Sequence, residues 1–273
     1  MRQLVLVLIG FATYMGVRAL VGADRRRALA HGYDILQLER ALGLDWERGA
    51  QVVTLQHGVL LTIFNAIYTW VYWPTLVGAL VFLWHRNRAR YVIFRNALFL
   101  SGAAGLVVFT TFPVAPPRML EGFRDTVSEA SRHYFIARPS GLINPYAALP
   151  SFHAGWFILA ALMVAGTVTG VARRLVLACL PAMPIAVVVT ANHYVVDVVC
   201  GAALSLAAFA VASRMGQRRT VVPAATPPED VSAGRPPPVR HRRATWPGLH
   251  AARPTARRDR PPSASATGDR LPG

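Results

Sequence analysis

The chain has 273 residues, 53% of them hydrophobic, and carries a formal charge of +16. That apolar share exceeds what one soluble core of this length needs, which argues against a water-soluble domain and for a polytopic membrane protein. The charge does not point to nucleic acid, because half of it, twelve arginines against four acids for a net +8, lies between Arg214 and Gly273.

A membrane helix takes about 20 mostly apolar residues, and the pattern predicts about six of them in an all-α bundle. The first covers residues 3–23. Its end, Val21-Gly22-Ala23, resembles a signal-peptidase site, but Arg18 and the length of the apolar run favour a retained helix. Residues 28–49 read as an amphipathic helix on the membrane surface, with Asp24, Asp34, Glu39, Asp45 and Glu47 balancing Arg25, Arg26 and Arg27. The next stretch, 52–84, exceeds one crossing and contains Pro74, so 52–67 is expected in the interface and the remainder across the membrane. Further spans are predicted at 92–112, 151–170, 175–190 and 194–212. Cys179 and Cys200 fall inside apolar segments and read as small packing residues, not as a disulfide or metal pair.

Three regions follow: 1–50 with the first helix and the surface segment, 51–213 as the membrane bundle, and 214–273 as a tail. The tail is rich in Pro, Ala, Ser and Arg without apolar periodicity and is expected to be disordered, solvated, and in touch with anionic lipid. Arginines at Arg86, Arg88, Arg90, Arg95, Arg173, Arg174 and in the tail place those regions in the cytoplasm of a cell-membrane protein. Residues 113–149 and the turn at Asn192 then face outward; Arg25 to Arg27 would be external and do not fit this scheme.

Polar residues collect at the outward ends. Pro150-Ser151 reads as a helix start with Ser151 as N-cap, and His153 lies in its first turn, where free N–H groups suit an anion. Gly155 admits another backbone or a headgroup. His193 and Asp197 are four residues apart, on one helix face, so the carboxylate can orient the ring. Arg118 follows the proline-stiffened run Pro113-Val114-Ala115-Pro116-Pro117 and offers a guanidinium fork for phosphate oxygens. Each residue alone has an ordinary structural reading: a snorkelling Arg, a hydrogen-bonded buried His. Their convergence at one side points to chemistry. A zinc site from His153, His193 and Asp197 is chemically possible, but Arg118 would set a cation beside a cation, so no metal or cofactor is expected.

The phrases Asn144-Pro145-Tyr146-Ala147-Ala148-Leu149-Pro150-Ser151-Phe152-His153 and Ala191-Asn192-His193-Tyr194-Val195-Val196-Asp197 resemble the type 2 phosphatidic acid phosphatase superfamily. Within it they are closest to the inositol phosphorylceramide synthase and inositolphosphotransferase branch, over about residues 90–213. The resemblance implies His193 as a nucleophile forming a phosphohistidine, Asp197 as its orienting carboxylate, His153 as acid and base, and Arg118 and Ser151 as phosphate ligands. Asn144, Tyr146 and Asn192 are candidate substrate contacts. The implied partners are a membrane phospholipid and a lipid or polyol acceptor, or water. The chain departs from the phosphatase pattern: it has no lysine, Met119 follows Arg118, and Val187 stands where the pattern has an arginine. Fewer cations suit a monoanionic diester better than a dianionic monoester, which favours headgroup transfer. The alternatives are a phosphatase of phosphatidate or polyprenyl diphosphate, and a non-catalytic lipid-binding scaffold.

Overall fold

The computed structural model describes residues 2–20, 24–133 and 144–220. The chain divides into two units, Met1–Pro223 and Ala224–Gly273. The second unit, with most of the predicted tail, and the Val21-Gly22-Ala23 motif lie outside the described residues, as do residues 134–143 of the predicted outward loop.

The described residues form an all-helical membrane bundle, with one isolated bridge between Val114 and Ala147. The helices are α1 (Arg2–Leu20), α2 (Arg25–Leu42), α3 (Glu47–Gln56), α4 (Gly58–Ala66), α5 (Tyr72–Arg86), α6 (Arg88–Thr111), α7 (Thr126–His133), α8 (Phe152–Ala165), α9 (Gly170–Ala178), α10 (Ala182–Val189) and α11 (Val195–Thr220). Among the described residues, four stretches are long and apolar enough to cross a membrane: Gly58–Arg86, Arg88–Thr111, Gly170–Val189 and Val195–Met215. Two shorter apolar helices, Val5–Gly16 and Phe152–Ala165, stand where further spans were expected.

Several boundaries differ from the sequence expectation for identifiable reasons. The second span begins at Gly58 instead of after residue 67, and α4 passes into α5 through a π-helical turn, Ile67–Val71. Pro74 lacks an N–H, and its ring would crowd the carbonyl of Trp70 in a regular helix; the wider turn just before it makes room. The span predicted at 175–190 starts earlier, at Gly170, and is broken between α9 and α10 at Cys179-Leu180-Pro181. Cys179 and Cys200 are exposed on the bundle surface, so they are not packing residues; apolar sequence reflects a lipid-facing side as readily as a core. The helix α11 continues to Thr220, into the segment assigned to the tail, since no proline interrupts the chain before Pro223.

The surface helix predicted over 28–49 is two helices, turned at Gly43, whose φ of 69° closes α2. Its buried face reads Ala28, Gly32, Ile35, Leu36 and Glu39, the 3.6-residue stripe of a helix against a core. Glu39 and Glu47 are therefore fully buried and do not screen the exposed Arg25 to Arg27.

The centre of the bundle is α11, packed on α6 and α8, with α5 against α8. Phe94, Leu83, Leu159 and Met183 fill the main core. At Gly155 and Gly201 the backbones of α8 and α11 nearly touch: a Cβ on Gly201 would fall 2.1 Å from Ser151 O, and one on Gly155 2.3 Å from Gly201 O. Gly155 thus admits a neighbouring helix, not a headgroup. A second cluster, Ile35, Leu36, Val114, Leu120, Ala148 and Tyr194, caps one end of the bundle. The loop after α6 is fastened there by reciprocal bonds, Gln51 Nε2 to Arg124 O (2.9 Å) and Arg124 N to Gln51 Oε1 (3.0 Å). The far end of α8 is marked by Gly166, which lies against the Arg90 guanidinium.

Candidate active site

The turn between α10 and α11 carries His193. It is shaped by Ala191, whose φ of 53° is a left-handed conformation that costs a residue with a Cβ roughly 1–2 kcal/mol. Compensation comes from bonding: Arg118 N donates to Ala191 O at 2.8 Å, and the N–H groups of Asn192 and His193 both donate to Val187 O.

His193 Nδ1 faces two acceptors, Ala148 O at 2.8 Å and Asp197 Oδ2 at 3.4 Å. A proton on Nδ1 satisfies them and leaves the lone pair on Nε2, the form a nucleophilic imidazole requires. Asp197 is fully buried. Its Oδ2 also accepts from Tyr194 N at 3.0 Å, and its backbone O accepts from Ser151 N at 2.9 Å. One residue thus ties the start of α11 to the start of α8.

His153 occupies the first turn of α8, its ring stacked on Tyr68 at 4.8 Å and tilted against Tyr72 at 4.3 Å. Tyr68 belongs to the π-helical turn and Tyr72 begins α5, so the widened turn builds one wall for this ring. The ring centres of His153 and His193 are 5.7 Å apart.

Arg118 sits on a short 3₁₀ turn, Pro117–Met119, with its side chain 13% exposed. Its Nη1 donates to Asn192 Oδ1 at 2.7 Å, and Asp125 Oδ2 lies 3.5 Å from its Nε. Asn192 is held in turn by donating Nδ2 to Thr190 Oγ1 at 2.8 Å. Asn144 is buried; its Oδ1 accepts from Tyr146 N at 2.9 Å, which fixes the amide, and its Nδ2 has no hydrogen-bond partner among the described residues.

His153, His193, Arg118, Asn144 and Asn192 line one cavity, whose remaining wall includes Tyr14, Tyr68, Tyr72, Trp73 and Trp156. Three expected residues stand outside it. Asp197 acts from behind His193. Ser151 is buried, and its hydroxyl accepts from Ala154 N at 3.4 Å as the N-cap of α8. Tyr146 is engaged through its backbone, its O accepting from Val114 N. Among the described residues no group of three His, Cys, Asp or Glu is disposed to hold a metal ion.

Sequence reasoning missed Ala148 O, Tyr68 and Tyr72, and the two glutamates described below. A backbone carbonyl leaves no signal in residue type. Glu39 did leave one, since it falls on the apolar stripe of α2.

A family model described as the PAP2 superfamily matches residues 33–211 of the chain. No curated protein and no solved structure matches it.

Proposed function

The chain belongs to the PAP2 superfamily, which makes it a membrane enzyme of phosphatase or phosphotransferase chemistry, and on that premise we propose a transferase of phosphate-bearing headgroups. It moves a headgroup of the inositol phosphate type from a phospholipid to a lipid or polyol acceptor, through a phosphohistidine on His193. The observation that carries this reading is the facing pair of imidazoles 5.7 Å apart, with His193 Nδ1 held by two acceptors and Arg118 beside them.

In the first step His193 Nε2 attacks phosphorus while the bond to the lipid oxygen breaks, and His153 gives that oxygen a proton. The Asp197 carboxylate and Ala148 O stabilise the positive charge arising on the His193 ring. In the second step His153 takes the proton of the acceptor hydroxyl, whose oxygen attacks phosphorus as the N–P bond breaks. Arg118 grips phosphate oxygens, and the unpartnered Nδ2 of Asn144 supplies a further donor.

Charge favours a diester. Arg118 is the one arginine lining the cavity among the described residues, and Asp125 partly offsets it. A single, partly balanced guanidinium matches one negative charge better than two.

Depth fits a lipid-borne phosphate. The 14-residue α8 rises about 21 Å, short of a hydrocarbon layer of about 30 Å. Gly166, at the far end of α8, lies against Arg90; with that arginine at one interface, His153 would lie recessed from the other. The arginine bias of the chain supports a site that opens outward and a cytoplasmic tail on anionic lipid.

The test is an assay of purified protein with phosphatidylinositol labelled at phosphorus, with ceramide or diacylglycerol as acceptor. An acid-labile phosphoenzyme is expected in the wild type and none in His193→Ala. A phosphoenzyme trapped in His193→Ala would overturn the nucleophile, and release of inorganic phosphate from phosphatidate outpacing diester turnover would replace the transferase with a phosphatase.

A further inference from the structure

We propose that Glu39 and Glu47 form a proton-sharing pair of positioning residues that clamps the start of α11 and thereby holds His193 in register for attack. The inference rests on the role proposed above for His193.

Three carboxylates converge on the first N–H groups of this helix. Glu47 Oε1 accepts from Val195 N at 2.8 Å, Glu39 Oε1 from Val196 N at 2.7 Å, and Asp197 Oδ2 from Tyr194 N at 3.0 Å. A helix start ordinarily takes its cap from a residue next to it; here two caps come from α2 and α3, 157 and 148 residues away in sequence. The turn bearing His193 is therefore fixed to the opposite end of the chain.

All three carboxylates are fully buried. Three negative charges packed together without water repel strongly, and a helix start carries only a partial positive charge. Among the described residues Glu39 Oε2 and Glu47 Oε2 are both buried without a hydrogen-bond partner, while the two Oε1 atoms accept from the neighbouring N–H groups of Val196 and Val195. Two carboxyl groups bond directly only when one is protonated, so a single proton between the Oε2 atoms satisfies both and leaves each Oε1 to cap.

The groups facing Glu39 are Glu47 on α3, Asp197 and Tyr194 at the start of α11, and, beyond Tyr194, Tyr33 on α2. Burial first, then the bond from Glu47 and the charges of Glu47 and Asp197, push Glu39 up to about 9, against the opposing pull of Val196 N. The proton thus remains through neutral pH. An unfolded chain releases it in the ordinary glutamate range, so stability is full below that range and declines as pH rises to about 9. Above that value a further buried charge appears and the clamp loosens.

The experiment compares kcat and KM of the full-length wild type, Glu39→Gln and Glu39→Ala from neutral to alkaline pH. In the wild type kcat is expected to fall along a limb near 9. Glu39→Gln keeps the neutral-pH kcat and loses that limb, because its amide donates to Glu47 while its oxygen still accepts from Val196 N. Glu39→Ala lowers kcat on the order of 10- to 100-fold with KM nearly unchanged, as misplacement of a nucleophile does. An alkaline limb in Glu39→Gln that superimposes on that of the wild type would overturn the proposal, and so would wild-type kcat in Glu39→Ala. Should the Ala variant not fold, the isosteric Gln variant decides alone. An active His193→Ala would remove the nucleophile assignment, while the comparison of limbs still reports on the pair.

Discussion

The carbonyl oxygen of Ala148 lies 2.8 Å from His193 Nδ1, nearer than the Asp197 carboxylate at 3.4 Å. The ring is thus oriented by backbone as well as by charge. In a triad whose carboxylate alone sets the tautomer, Asp→Asn costs about 10⁴-fold. Here Ala148 O keeps the proton on Nδ1, so Asp197→Asn is expected to slow phosphoenzyme formation by only about 10²-fold, the part owed to lost charge. Rapid-quench measurement of phosphoenzyme decides this; a loss as deep as that of His193→Ala would show that Ala148 O does not hold the tautomer.

The contact between α8 and α11 leaves no space for a side chain. A methyl on Gly201 would stand 2.1 Å from Ser151 O, beside the cap that starts the His153 helix. Overpacking of this kind costs about 1–3 kcal/mol, so Gly201→Ala should lower the thermal midpoint in detergent and depress activity with it. Wild-type stability and turnover in that variant would mean that the two helices part without consequence for the site.

Substrate charge gives a third expectation. Arg118→Lys retains the charge but loses the planar fork that donates to Asn192 and that, on the proposed reading, would grip the phosphate at the same time. Turnover of phosphatidylinositol should drop by about 10-fold or more, since bonds to charged groups are worth about 1.5–3 kcal/mol, with wild-type enzyme preferring diester lipids over phosphatidate. The ratio of kcat/KM for the two lipid classes is the measurement, and a preference for phosphatidate in the wild type would contradict the charge argument.

Sidedness is tested by cysteine labelling. Ser128 lies on α7 in the loop at the site end, and Arg88 begins α6 at the other. With exposed Cys179 and Cys200 replaced by serine, a cysteine at Ser128 should react with an impermeant thiol reagent in intact cells, and one at Arg88 should not. The reverse pattern would invert the topology while leaving the catalytic geometry as it is.

Much was legible in the chain. Hydropathy located the apolar helices because lipid demands long apolar runs and closed backbone bonding. Pro150-Ser151 announced the start of α8, since a side-chain cap is a local interaction, and Ser151 does cap Ala154 N. The spacing of His193 and Asp197 pointed to a pair, and they do lie 3.4 Å apart, but not on one helix face as the spacing implied: His193 sits in the turn before α11, held there by its N–H bond to Val187 O, and reaches Asp197 in the first turn of α11 from outside the helix. Pro74 was read as a sign that 52–67 lies in the interface, whereas the span begins at Gly58 and the helix accommodates the proline through the π-helical turn that brings Tyr68 and Tyr72 to His153.

What the sequence by itself determined was therefore local: helix positions, one cap, one histidine–carboxylate pair, and a cation near them. Only the tertiary structure decided which groups meet across long separations: Ala148 O on His193, Asn192 on Arg118, and Glu39 and Glu47 on the start of α11. The reason is physical. A residue's type fixes what it is able to bond, whereas burial and the approach of distant backbone fix what it does bond, and Glu39, acidic in sequence yet buried against a helix start, was assigned by the second and misread from the first.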